Sequence, residues 1–228
     1  MQDADKRVTA VVAIDGPAGA GKSTVARRVA SCLGLLYLDT GAMYRALALK
    51  ALSAGLGPDD EAALVQLLAN SDIHVAEDPD RQLHVWLDGR DVTDAIRRPA
   101  VHAVVAQVAS LGGIRAGMVD RQRSLAEEGG VVMDGRDIGT YVLPHAPFKF
   151  FLTASLEARV ARRHRELAAQ GFLVPAATLQ RDIVERDRMD STRAVAPLQQ
   201  APDAHVIDTT NLTADQVVQE ILAVVRGR

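Results

Sequence analysis

The sequence predicts an α/β fold: a five-stranded parallel sheet flanked by helices, carrying one small antiparallel β-containing insert. Three observations predict it. Apolar runs at 8–14, 35–38, 131–133, 148–152 and 205–208 are short and mostly do not alternate, as in strands buried on both faces. Between them lie segments with apolar residues at helical spacing, which makes right-handed βαβ crossovers the economical topology. A length of 228 residues, 48% apolar and 24% charged, suits one such domain with a modest insertion and argues against disorder.

The first run, Val8–Ile14, leads into Asp15-Gly16-Pro17-Ala18-Gly19-Ala20-Gly21-Lys22-Ser23-Thr24. Gly16, four residues, then Gly21-Lys22-Ser23 is the spacing of a phosphate-binding loop. Glycines let backbone N–H groups wrap closely around phosphate oxygens. The helix that starts near Lys22 adds its positive N-terminal end. Lys22 reaches the outer phosphates of a nucleoside triphosphate, and Ser23 offers a hydroxyl to Mg2+. A plain glycine-rich turn is the alternative, weakened by the strand before the loop and the amphipathic helix after it.

That helix covers Ser23–Leu33, with Val25, Val29, Cys32 and Leu33 on one side and Gly34 as its stop. The lone cysteine, Cys32, is therefore expected in the core and forms no internal disulfide. Leu35–Leu38 is a short buried strand, and Asp39-Thr40-Gly41 opens a helix running to about Ser53. Another helix follows at Asp59–Ala69. Ile73–Val75 and Leu83–Leu87, with turns at Asp78-Pro79-Asp80 and Asp88-Gly89, make the antiparallel patch between about 70 and 93. Helices resume at Thr93 and continue to about Glu128, with a break at Pro99. Val131–Met133 is the third parallel strand and ends in Asp134-Gly135-Arg136-Asp137. Phe148–Leu152 is the fourth, with Ser155 capping a helix over Leu156–Ala169. Ala176–Met189 is a further helix, His205–Asp208 the fifth strand, and Asp215–Arg226 the closing helix. Ligands of parallel sheets sit at the strands' carboxyl ends. Segments 15–24, 39–45, 134–137 and 208–211 all fall there, which points to one shared site.

The residue types at those positions suit phosphoryl transfer. Asp134 closes an apolar strand, where an acid holds Mg2+ directly or through water; a turn residue before Gly135 is the alternative. Only four of the 26 basic residues are lysines. The arginine excess suits phosphate recognition, although codon usage accounts for it equally well. Arg159 and Arg163 share a helix face at i,i+4. They either face an anion or, with Glu157, Glu166 and Asp187, line a salt-bridged exterior. The six histidines show no metal-ligand spacing and read as structural or surface residues. No Ser-His-Asp arrangement and no Asn-Lys-x-Asp guanine motif occurs. A net charge of −3 leaves no global basic field for nucleic acid. No apolar stretch reaches membrane-spanning length, and the first residues do not form a signal peptide, so cytoplasmic residence and a monomer are the defaults.

Four segments together are more specific than the loop: Ile14–Ser23, Leu38–Arg45, Asp134–Thr140, and Glu185-Arg186-Asp187 with Asp190 and Arg193–Leu198. On these the sequence resembles the bacterial cytidylate kinases of the nucleoside monophosphate kinase superfamily. The resemblance implies a P-loop kinase core at about 8–60, 129–157 and 204–228, a monophosphate-binding insert at about 61–128 and a lid at about 158–190. It implies MgATP as donor and CMP or dCMP as acceptor. Gly16 to Thr24 and Arg159 would hold ATP, and Ser23 and Asp134 the Mg2+. Thr40, Arg45 and Arg136 would hold the acceptor phosphate, Arg115, Asp137 and Arg193 the cytosine, and Arg186 and Asp190 the pentose. Lys22, Arg136, Arg163 and Arg186 would act on the transferring group. Ala106 departs from the pattern, since a base-contacting serine is expected there. A kinase of another small acceptor, such as UMP or shikimate, is the rival reading.

Overall fold

A computed structural model describes residues 10–78, 82–127, 129–169 and 171–227, with the side chain of Glu77 left aside. Its larger sheet contains β1 (Val11–Asp15), β2 (Leu36–Asp39), β6 (Val131–Gly135), β7 (Phe148–Thr153) and β8 (His205–Asp208). They are all parallel, in the order β2-β6-β1-β7-β8. The central strand β1 is continuous and apolar because both its faces are covered. Val12 and Ile14 pack with Val25, Val29, Ile221 and Leu222, while Ala13 on the opposite face joins Leu38, Met43, Leu47, Met118 and Met133. In register, Ile14 pairs with Asp134, Asp39 with Asp134, and Thr153 with Asp208, so the acidic strand ends line one rim.

The helices are α1 (Lys22–Leu33), α2 (Thr40–Ser53), α3 (Glu61–Ala69), α4 (Pro99–Ser110), α5 (Gly112–Glu127), α6 (Leu156–Ala169), α7 (Ala176–Thr192) and α8 (Ala214–Arg226). A second, antiparallel sheet joins β3 (Ile73–Glu77), β4 (Leu83–Leu87) and β5 (Arg90–Asp91). The expected strand start at Val8, the turn residues Pro79 and Asp80 and the helix end at Glu128 lie outside the described residues.

Several expectations are corrected. Cys32 is exposed, not core. The buried stripe of α1 is Lys22, Val25, Ala26, Val29 and Ala30, and Cys32 stands about 100° of helix rotation away from its continuation at Leu33. Leu36 is likewise exposed, because β2 is an edge strand. The expected break at Pro99 is present: a single turn at Ala95–Arg97 ends at the extended Arg98, and α4 begins on Pro99, where the missing N–H costs nothing. A second break, not expected, falls at Leu111, whose backbone is extended between α4 and α5.

Candidate active site

The loop between β1 and α1 is shaped by glycine. Gly16, Gly19 and Gly21 have φ of +144°, +77° and +93°, values that side chains disfavour. A Cβ at Gly16 would lie 2.0 Å from the Leu152 carbonyl oxygen, and one at Gly19 would lie 3.0 Å from Arg159 Cβ. Pro17 accepts from Lys22 Nζ at 2.7 Å, Ala18 from the Arg159 guanidinium at 3.2 Å and Ala20 from the Thr209 hydroxyl at 3.0 Å. Gly21 precedes α1 with no side-chain cap, so the helix presents bare N–H groups at this point. Ser23 and Thr24 follow on the first turn. Burial and the neighbouring Arg136 and Arg186 push the buried Lys22 ammonium well below its usual pKa, against the pull of Asp134 and Asp190.

Asp134 is the meeting point of three segments. Its Oδ2 accepts from Ser23 Oγ at 2.8 Å, its Oδ1 from Tyr37 at 2.8 Å, and its carbonyl from Thr40 Oγ1 at 2.7 Å. Burial and the nearby Asp39 raise its pKa, while Lys22 opposes the shift. A buried carboxylate raised by a second carboxylate, with a serine hydroxyl on one oxygen, is a hard-oxygen pair suited to a small divalent cation. Among the described residues no group of three or more His, Cys, Asp or Glu forms a closed metal cage.

Beyond Asp134 the rim is lined by paired charges. Asp39 caps α2 through Ala42 N–H and accepts from Arg45 at 2.8 Å. Arg136 Nε donates to Asp190 at 2.7 Å, with Arg186 Nε 4.0 Å from the same oxygen. Burial and Arg136 lower the Arg186 pKa to about 10. Asp137 is clamped between Arg115 and Arg193, the latter at 2.9 Å, and Arg115 also lies over the Tyr44 ring. Tyr44 Oη and the Nε atoms of Arg45, Arg115 and Arg186 are buried without a hydrogen-bond partner. Orphaned donors on this scale are costly unless an anion or water meets them.

The structure brings Lys22, Ser23, Thr40, Arg45, Arg115, Asp134, Arg136, Asp137, Arg186, Asp190 and Arg193 together at this rim, whereas the two arginines singled out on α6 differ from each other. Arg159 is buried and tied to Ala18 and, at 2.6 Å, to Asp187, so it faces the loop. Arg163 pairs instead with the exposed Glu166 at 2.9 Å, although its charge still acts on Arg186. Ala106 is half-buried, and the Ser110 hydroxyl donates to the Gln107 carbonyl of its own helix, so it does not replace the expected serine.

Four residues escaped the sequence reading. Asp15 accepts from the Ile138 and Gly139 N–H groups at 2.8 and 2.7 Å, anchoring the turn that carries Asp137, and burial raises its pKa to about 6. Asp39 and Tyr37 support Arg45 and Asp134. His102 on α4 lies among arginines, and burial takes its pKa down to about 3. Of these, Asp15 and Asp39 had a sequence signal: an acid closing an apolar strand, the same signal that marked Asp134.

The family profile described as Cytidylate kinase matches residues 12–227. The chain belongs to the cytidylate kinase family. It is 54% identical over 212 residues to the Cytidylate kinase of Symbiobacterium thermophilum, covering 93% of this chain and 94% of that one. It is 53% identical over 217 residues to the Cytidylate kinase of Geobacillus kaustophilus, covering 95% and 96%. A crystal structure of an uncharacterized protein from Eubacterium ventriosum is similar in fold, with a TM-score of 0.55 at 12% identity over 96% of this chain and 99% of that one. Among the described residues no helix is long and apolar enough to cross a membrane.

Proposed function

We infer that this chain transfers the γ-phosphoryl group of ATP to CMP or dCMP, giving ADP and CDP or dCDP. The observation that carries the reading is the pairing of two anion sites on one rim. A glycine loop with Lys22 lies on one side of Asp134, and arginines with orphaned donors lie on the other.

The transfer is direct and in line, with no covalent enzyme intermediate. Lys22 and the amides of Gly16 to Thr24 hold the donor's outer phosphates, with Arg159 steadying the loop. Arg45, Thr40 and Arg136 hold the acceptor phosphate so that one of its oxygens faces the γ-phosphorus. A new O–P bond forms as the bond to the β-phosphate oxygen breaks, and that oxygen leaves with ADP. Charge spreads over the transferring group, where Lys22, Arg136, Arg163 and Arg186 stabilise it. Ser23 and Asp134 would hold Mg2+, which neutralises phosphate charge when bound. Arg186 and Asp190 receive the pentose. The 158–190 segment acts as a lid and 61–128 as the monophosphate-binding insert, closing to exclude water that would otherwise hydrolyse ATP.

Base choice follows from Asp137, held between Arg115 and Arg193. A carboxylate accepts from the amino group of cytosine, whereas uracil presents an oxygen there. Ala106 supplies no hydroxyl, which removes one base hydrogen bond of about 1 kcal/mol and favours some use of UMP as a second reading. The chain is read as a cytoplasmic monomer acting on small molecules alone, without nucleic acid or membrane.

The test is ADP release coupled to CMP, dCMP, UMP, dUMP and AMP in parallel. CMP and dCMP should exceed the others in kcat/KM by about tenfold or more, the weight of one base-reading contact. Equal use of UMP or AMP, or no acceptor-dependent release, overturns the reading.

A further inference from the structure

Helix α4 buries Val101, Val105 and Val108 against the core. The neighbouring stripe, at i, i+4 and i+7, is His102, Ala106 and Ala109, all half-buried. One end of this stripe is fixed at the base-reading end of the site, because the Ala109 carbonyl accepts from the Arg115 guanidinium at 3.3 Å. The helix packs on α2 and α7, which carry Arg45 and Arg186. Its other end, His102, feels the charges of Arg163 of α6, Arg45 of α2, Arg186 of α7 and Arg97 of the turn before α4. Seven residues rise about 10 Å along a helix, a length comparable with that of a nucleoside monophosphate. The stripe therefore runs from phosphate end to base end, with alanines where bulk must fit and one polar group at the charged end.

Burial decides the protonation state there, because it disfavours the charged imidazole, and the four arginine charges add to that penalty. A neutral imidazole still carries one N–H donor and adds no repulsion.

We propose that His102 is a further acceptor-site residue, which donates one imidazole N–H to an oxygen of the monophosphate held between Arg45 and Arg186. The inference rests on the reading of this pocket as the acceptor site. It is distinct from the motif residues, since nothing in the loop, in Leu38–Arg45 or in Asp134–Thr140 points to α4.

The experiment compares the full chain with His102→Ala and His102→Gln in steady-state kinetics at pH 6 to 8, with thermal melts to check folding. His102→Ala should raise KM for CMP about ten- to a hundredfold, the weight of one donor to an anion, and leave KM for ATP within about twofold. His102→Gln, which keeps a donor at similar reach, should recover most of the loss. The effect should be level across the pH range, as befits a neutral donor. An unchanged KM for CMP overturns the inference, as does a parallel rise in both KM values without rescue by His102→Gln. An effect confined to the acid end also overturns it, by making the imidazole a cation. If the wild-type chain releases no ADP in response to CMP, the acceptor-site reading fails, and this inference fails with it.

Discussion

On the proposed roles, the loop at Gly16–Thr24 would meet its anion with backbone, whereas the acceptor side would meet its own with side chains from α2, α5, α7 and the turn after β6. The difference is one of preparation. Glycine conformations fix the loop's shape, and no counter-charge is needed until a nucleotide arrives. Arginines crowded on a rim would repel one another and drift, so the acceptor side holds each beside a carboxylate. Arg45 rests on Asp39, Arg136 and Arg186 share Asp190, and Arg115 and Arg193 share Asp137. Three arginines against two aspartates leave one positive charge towards the phosphate end, and Arg115 and Arg193 against Asp137 leave one at the base end. Positioning is thus finished before binding, and little ordering remains to offset affinity.

The contrast can be broken most severely at Lys22, a buried cation at the start of α1. Lys22→Ala should lower kcat/KM about 10²- to 10³-fold with the urea midpoint unchanged. Retention of more than about a tenth of wild-type turnover would remove Lys22 from the transfer step. On the acceptor side the same kind of change should cost the fold as well. Asp137→Ala strands Arg115, only 1% exposed, together with Arg193. We expect a loss of about 3–5 kcal/mol in urea unfolding and a KM for CMP raised far more than that for ATP. Equal changes in the two KM values would take Asp137 out of the base site.

Asp15 joins the two sides, since it precedes the loop and grips the turn behind Asp137. Its pKa is raised to about 6, so the folded chain holds this proton more tightly than the unfolded one. Its contribution to stability therefore falls as pH rises from about 4 to about 6, and the loss persists above that window. Relative to wild type, Asp15→Asn should gain on the order of 1–3 kcal/mol between pH 4.5 and 7, read from urea unfolding at each pH. A difference that stays flat would mean that Asp15 is not titrating while buried. The smallest effect is expected at Glu166, whose pairing with Arg163 is exposed. Glu166→Ala should alter stability by less than about 0.5 kcal/mol. A loss above about 1 kcal/mol would mean that α6 is braced by charge pairs as firmly as the acceptor rim.

What could be foreseen from the sequence follows the same division. The loop is contiguous, so spacing alone located it, and the doubly buried strands announced a parallel sheet. The acceptor arginines were individually visible, but their partners were not. Asp39 reads as a helix cap until Arg45 folds back on it, and Asp190 lies 54 residues from Arg136. His102 looked like an ordinary surface histidine because its neighbours come from three other helices and a turn. Cys32 was misplaced because apolar spacing marks a helix stripe without saying how far the stripe stays covered near the helix end. The break at Leu111 did carry a local mark, Gly112-Gly113 directly after it, which apolar spacing across the segment hid.

Tyr37 has a consequence for the posture of Asp134. Its hydroxyl donates to one carboxylate oxygen while Ser23 donates to the other, and burial together with Asp134 itself raises the pKa of the phenol, which remains a donor throughout the neutral range. Each oxygen keeps a second lone pair. The two hydroxyls therefore fix the plane of the carboxylate without exhausting it. On the proposed metal role, Asp134 would meet a cation already oriented, held in place from the neighbouring strand.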